Sequence, residues 1–239
     1  MARTLLALCQ DVTDRIGELR PSTVAANNDP DARRLLATAN RVGRELARKN
    51  WAVLTKAGTI TTTSGTTEYS LPSDYARNIS DTAWDATNLW QMRGSMTPQD
   101  WQFLKNSVVT RSDILLSYRI VRGTSGATRK FALDPAPTGS ARTLSYEYIT
   151  DQWVIGAASS GKTAFAADTD QPIIDDFLIE LGMTAYLKRE FGMDYATDYA
   201  EYQAEVDRTY AQDVPRQTLD MGGNNLRLWG NIPEQGFGT

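Results

Sequence analysis

Histidine is missing from this sequence altogether, and cysteine occurs once, as Cys9. Without histidine, Ser/His/Asp and Cys/His nucleophile systems are excluded, and the usual zinc and iron sites lose almost all their ligands. Any enzyme chemistry would have to run on carboxylate, lysine or tyrosine side chains. A lone cysteine also excludes an intramolecular disulfide, and with no cationic neighbour evident Cys9 is expected to be a buried structural thiol. No apolar run approaches the roughly 18 residues of a membrane span. The opening Met1-Ala2-Arg3-Thr4 runs straight into a helical pattern with no small-residue cleavage site behind it, so no signal peptide is expected. Positive charge is short as well: the net charge of −4 argues against generic binding to a phosphate backbone.

What is present describes a folded protein. The 239 residues are 41% hydrophobic and include six Trp and ten Tyr, enough for one sizeable core or two small ones. Charge is unevenly spread. Arg33, Arg34, Arg41, Arg44, Arg48, Lys49 and Lys56 cluster in and after one stretch, whereas residues 168–213 are strongly acidic, offset only by Lys188, Arg189 and Arg208. Two readings follow: solvated helix faces that attract one another within the chain, or opposite-sign faces that meet across a subunit interface.

Leu5, Leu8, Val12, Ile16 and Leu19 recur at helical spacing and predict a helix ending near Pro21. Asp29-Pro30-Asp31 supplies a cap, a first-turn proline and a dipole-favourable carboxylate, so a second helix should run to about Asn50 or Trp51, with Leu35, Ala39, Val42 and Leu46 inward. From Gly58 the period changes to that of strands. Thr59-Ile60-Thr61-Thr62-Thr63, the Ser64-Gly65 turn and residues 66–71 read as a hairpin. Pro72-Ser73-Asp74 makes a corner in which the Asp74 carboxylate can accept from nearby amides, and residues 79–84 resume as a strand. Thr97-Pro98-Gln99-Asp100 carries a capping-box pattern, placing Trp101 and Leu104 against a sheet. Further strands are expected at 114–121, 129–133 and 142–148, joined by Gly- and Pro-rich turns at 122–128 and 134–139 that suit antiparallel neighbours, with Leu144, Tyr146 and Tyr148 on one face. Asp170-Gln171-Pro172 signals another helix stopping at Gly192, and Tyr195, Tyr199, Tyr202, Val206 and Tyr210 form the packing seam of a last one.

These readings combine into an α+β protein. Residues 1–54 and 168–214 form a helical bundle, 55–167 an inserted antiparallel β domain, and 215–239 an extended C-terminal tail. That tail carries Leu226, Leu228, Trp229, Ile232 and Phe237 among Gly, Asn and Pro, more large apolar side chains than a solvated terminus usually holds. Leu226, Leu228, Trp229 and Phe237 are therefore the candidate partner-contact residues; the other reading is that the tail folds back on its own domain.

One motif points toward an enzyme. Gly156-Ala157-Ala158-Ser159-Ser160-Gly161-Lys162-Thr163 fits the phosphate-binding pattern G-x-x-x-x-G-K-[ST]. A working loop needs a helix opening directly at Lys162-Thr163 and a later strand ending in a magnesium-binding Asp. Neither is apparent, so no nucleotide, metal or other cofactor is expected, and a P-loop nucleotide-binding protein stands as the alternative reading.

The strand–corner–strand stretch Glu68-Tyr69-Ser70-Leu71-Pro72-Ser73-Asp74-Tyr75, continuing to Trp84-Asp85, resembles the head-to-tail adaptor proteins of tailed bacteriophages. Trp51 before it and Ser95-Met96-Thr97-Pro98-Gln99-Asp100-Trp101 after it share the resemblance, which runs from Trp51 to about Tyr210. That group includes the tail tubular protein A of podoviruses. The resemblance implies a non-enzymatic virion protein at the head-to-tail interface, assembled in the host cytoplasm. It further implies a homo-oligomeric ring of twelve copies between the portal protein and the tail or nozzle protein. Double-stranded DNA would pass through the ring without specific binding, and no membrane is involved.

Overall fold

The computed structural model describes residues 3–106, 116–123 and 128–213. Helix α1 (Leu5–Ile16) begins where Thr4 turns extended and its hydroxyl accepts from the Ala7 amide, and ends at Gly17, whose φ of 85° is left-handed. That stop leaves Leu19 beyond the stripe and 93% exposed, not buried as its spacing predicts. Helix α2 (Pro30–Leu46) starts after Asp29 as expected, though the Asp29 side chain makes no capping bond. It ends about a turn early, at Leu46, and the carbonyls of the turn that follows accept from Arg77 of a neighbouring strand.

Five strands follow: β1 (Thr55–Thr61), β2 (Glu68–Ser70), β3 (Tyr75–Asn78), β4 (Trp84–Asp85) and β5 (Trp90–Gln91). Helix α3 (Pro98–Asn106) comes next, then β6 (Ser117–Arg122), β7 (Arg129–Asp134), β8 (Thr143–Thr150), β9 (Val154–Ile155), β10 (Gly161–Lys162) and β11 (Gln171–Pro172). Helices α4 (Asp176–Glu190) and α5 (Ala196–Asp213) close the described chain. The architecture is mixed α and β with antiparallel ladders, as the composition of the segments implies.

Pairing differs from the local expectation. The turn at Ser64-Gly65 does not make a hairpin: β1 pairs with β8, from Thr55 opposite Ile149 to Thr61 opposite Thr143, while β2 pairs with β7. Seven aligned pairs with β8 bury Ile60 beside Leu144, which a short local hairpin could not do. The turn after Asp134 likewise carries the chain from the β2–β7–β6 sheet to the sheet built on β8. By contrast β6 and β7 are antiparallel neighbours, from Ser117 opposite Asp134 to Arg122 opposite Arg129. The corner after Pro72 resumes as strand at Tyr75, earlier than the expected residue 79. The capping box at α3 forms as read, with the Asp100 amide donating to the Thr97 hydroxyl at 3.1 Å.

Asp170-Gln171-Pro172 does not open a helix. Gln171 and Pro172 pair with β9, and α4 starts only after Asp175, whose carboxylate accepts from the Phe177 amide at 3.0 Å. Residues 178–187 of α4 are all buried, because α1, α2 and α5 each pack on it. One core is therefore helical and largely aliphatic, with Leu8, Val42, Leu46, Leu178 and Met183, and it also takes in Ile149, Trp153 and Phe165. Gly43 makes room for that tryptophan: a Cβ there would lie 2.0 Å from its ring. A second core is aromatic, with Tyr118 stacked on Phe131 at 4.7 Å and Tyr146 and Tyr148 beside them. Trp101 sits with Met96 and Ala132 under α3, with Leu104 packed against them, as the capping pattern predicts. Tyr202 and Val206 of α5 are buried, whereas Tyr195 and Tyr199 lie at the exposed edge of the seam.

Candidate interaction surfaces

The P-loop look-alike is built as something else. Residues Ala157–Ser159 make one turn of tight helix, after which Gly161 and Lys162 form β10 against β9, so no helix N-terminus faces the loop. The Lys162 ammonium is already held by the Asp170 carboxylate at 2.7 and 3.0 Å, and Asp170 also accepts from the Ala166 and Ala167 amides. Burial alone would raise the Asp170 pKa, but these donors outweigh it and hold the group below its ordinary value of 3.8. The cluster pins the segment that connects β10 to β11.

Asp74 works in a similar way across the sheet. Its carboxylate accepts from Lys56 Nζ at 2.7 Å, the Tyr148 hydroxyl at 2.9 Å and the Thr150 hydroxyl at 3.0 Å, not from amides of its own corner. Burial opposes this charge, and the three donors prevail to depress its pKa. Sequence reasoning placed the residue at the corner but missed its partners, which lie in β8 and at the start of β1. Arg77 of β3 was missed entirely. Its guanidinium donates to the carbonyls of Ala47, at 3.0 Å, and Lys49, at 2.9 Å, and to that of Arg48. A cation near the C-terminal end of a helix is favoured by the dipole, and here it fastens the turn just past α2 to the sheet.

Several of the charges noted in the sequence find partners within the chain. Lys49 reaches Asp207 at 2.8 Å, Lys188 reaches Asp198 at 2.8 Å, Lys56 reaches Asp74, and Arg41 lies over the Tyr186 ring at 4.4 Å. To this extent the helix faces attract one another. Cys9 is fully buried and its thiol is pushed up to about 12 by burial, with Asp168 adding to the shift.

The surface also presents ordered apolar side chains. The β4–β5 hairpin ends in Leu89, 69% exposed, and Trp90, 45% exposed. Its turn is held from beneath by the buried Asp85, which accepts from the Thr87 and Asn88 amides at 3.0 and 3.1 Å and from the Asn88 side chain at 2.9 Å. Leu89 itself sits at φ 58°, a left-handed conformation that a residue other than glycine tolerates only when its surroundings enforce it. Asp85 and Asn88, three residues apart, were the available signal for this turn. Leu226, Leu228, Trp229 and Phe237 lie outside the described residues.

Among the described residues no cluster of three or more Asp, Glu, Cys or His side chains is arranged to hold a metal, and no helix is long and apolar enough to cross a membrane. The carboxylates of Asp74, Asp85 and Asp170 tie segments of the chain to one another. The chain belongs to the SU10 adaptor protein family, whose model matches residues 3–228. Membership makes it a structural adaptor of a bacteriophage, placed in the virion at the head-to-tail junction, where it meets portal and tail proteins. Among curated proteins, none matches the chain.

Proposed function

We propose that the protein assembles as a closed ring, docks on the portal, and lines part of the channel through which double-stranded DNA leaves the capsid. The observation that carries this reading is the family match over nearly the whole length, from residue 3 to residue 228. Twelve copies and the finer likeness to podovirus tail tubular protein A follow from the sequence resemblance and belong to the same proposal. So does the division into a helical bundle (1–54 and 168–214), an inserted β domain (55–167) and an extended tail (215–239). The ring subunit acts by shape, without an enzymatic step, and the acidic net balance lets DNA slide without being gripped.

In this reading the tail residues Leu226, Leu228, Trp229 and Phe237 seat on a neighbouring subunit or on the portal, and the exposed Leu89-Trp90 tip supplies a further apolar anchor. Electron microscopy of the purified protein mixed with its portal should show a closed ring on one end of the portal. Deleting residues 216–239 should weaken that assembly while the monomer stays folded. Ring formation unchanged by the deletion would remove the tail from the interface. Titration with ATP should give no binding in the micromolar range; saturable binding abolished by Lys162→Ala would overturn the structural reading.

A further inference from the structure

On α2 and just past its end, Arg33, Ala37, Arg41, Arg44 and Arg48 follow one another at steps of four, four, three and four residues. All five are exposed, and they run along the side opposite the buried Leu35, Val42 and Leu46, a ridge of about 20 Å at 1.5 Å per residue. Arg41 is stacked on Tyr186, but Arg33, Arg44 and Arg48 have no carboxylate partner among the described residues. Like charges three and four residues apart on a helix repel, so the ridge is incomplete as it stands.

The complement lies on another helix of the same chain. Asp198, Glu201 and Glu205 follow at steps of three and four along the first half of α5, and Asp194, four residues ahead of Asp198, stands just before the helix with its carboxylate accepting from the Ala196 amide at 3.2 Å. Asp198 is shared with Lys188 at 2.8 Å and Glu205 with Arg208 at 3.3 Å, while Glu201 is exposed and has no cation of its own among the described residues. At 3.6 residues per turn, Asp207 and Tyr210, which meet Lys49 and Trp51 at the end of α2, lie roughly a third of a turn or more round α5 from this row. The row therefore faces away from the α2 of its own chain. Two rows of similar length, matched helical spacing and opposite charge occupy separate faces of one molecule.

We infer that the arginine ridge of α2 seats on the carboxylate row of α5 in a second copy of this chain. The contact joins two different faces, so it repeats head to tail and closes into a ring when the rotation permits. It rests on the reading of the protein as a self-assembling adaptor and names the helices that meet within the ring. Arginine suits such a seam, since its planar fork pairs with carboxylates in two-bonded geometry and its weaker hydration eases burial.

The test uses charge reversal on the full-length chain, read by analytical sedimentation at roughly 0.05 and 0.5 M salt, where screening differs several-fold. One variant carries Arg33→Glu, Arg44→Glu and Arg48→Glu; the other carries Asp194→Lys and Glu201→Lys, sparing Asp198 and Glu205, which are already in ion pairs within the chain. Wild-type self-association should weaken with salt, each variant alone should associate roughly tenfold or more weakly than wild type, and their equimolar mixture should recover assembly. Recovery in the mixture also establishes that both variants are folded. The inference is overturned if the α2 variant assembles as wild type does, or if the mixture fails to assemble. A wild type that stays monomeric at every concentration overturns it too. If that protein still forms rings on its portal the adaptor reading survives, and if it does not both fall. Binding of a 20-base-pair duplex by monomeric wild type, lost in the α2 variant, would assign the ridge to nucleic acid instead.

Discussion

The two cores solve the same burial problem with different side chains. The helical core interlocks aliphatic residues from α1, α2, α4 and α5 around a few large rings, and α4 is enclosed on all sides. The β core is a pile of aromatic rings, Tyr118, Phe131, Tyr146 and Tyr148, and the hydroxyls of its three tyrosines must find partners or go without. Tyr148 finds Asp74, while the Tyr146 hydroxyl is buried with no partner among the described residues. Strand β8 serves both: Leu144, Tyr146 and Tyr148 point into the aromatic core, and Ile149 joins the helical one. The close-packed region should thus be intolerant of volume change, and the aromatic region sensitive chiefly to its polar ends.

The largest effect is expected where the helical core is tightest. Gly43→Val would drive side-chain atoms into Trp153, and Trp153→Ala would empty the same site; each should cost roughly 3–5 kcal/mol in urea unfolding. A loss below about 1 kcal/mol for both would show that the helical core is as forgiving as a loosely packed one. Next comes Asp170→Ala, which leaves Lys162 and two amides without their acceptor and should cost about 2–3 kcal/mol, discounted because Lys162 is partly exposed.

That carboxylate also sets a pH dependence. Asp74, Asp170 and Asp176 are all held below the ordinary value of 3.8 in the fold, so their contribution is complete above that value and is lost as pH falls through the depressed ones. Thermal unfolding followed between about pH 5 and pH 2 should show this loss, and it should shrink in the Asp170→Ala variant. A stability that rises on acidification would contradict the assignment.

Arg77→Ala probes the fastening between the two regions. It removes charged donors from three helix-end carbonyls and should cost about 2 kcal/mol. Hydrogen exchange should locate the loss in the last turn of α2, and exchange unchanged there would mean that the two regions are joined by packing alone. The smallest effect belongs to Tyr146→Phe. Removing a buried hydroxyl without a partner should leave stability within about 1 kcal/mol of wild type, on the favourable side, by chemical denaturation. A clear loss would reveal a partner for that oxygen.

Local patterns were legible wherever the signal is carried by neighbours in sequence. The stripe of α2, that of α1 as far as Ile16, the Tyr202–Val206 part of the α5 seam, the Thr97–Asp100 capping box and the alternation of Leu144, Tyr146 and Tyr148 appear as read, whereas Leu19, Tyr195 and Tyr199 are exposed. What could not be read was which strand pairs with which. The choice of β8 over β2 as the partner of β1 depends on residues more than eighty positions away, and nothing in Ser64-Gly65 distinguishes a hairpin from a crossing between sheets. Asp170 misled for the same reason: Asp-Gln-Pro is a good helix opening, but pairing of β11 with β9 and the pull of Lys162 override it. The candidate contact residues split likewise. The opposite charge clusters were visible in the sequence, whereas their arrangement on outward faces, and the Leu89-Trp90 tip, required the fold.

The last described turn of α5 is moored at the doorway between the two regions, where Asp213 accepts from the Ala52 amide at 2.6 Å and Tyr210 meets Trp51 edge-on. Tension applied to the polypeptide beyond that point would therefore be delivered first to the passage from α2 into β1, where Trp51 and Leu54 are buried. A docking event felt by the C-terminus would have a short mechanical route to the relative tilt of helices and sheets.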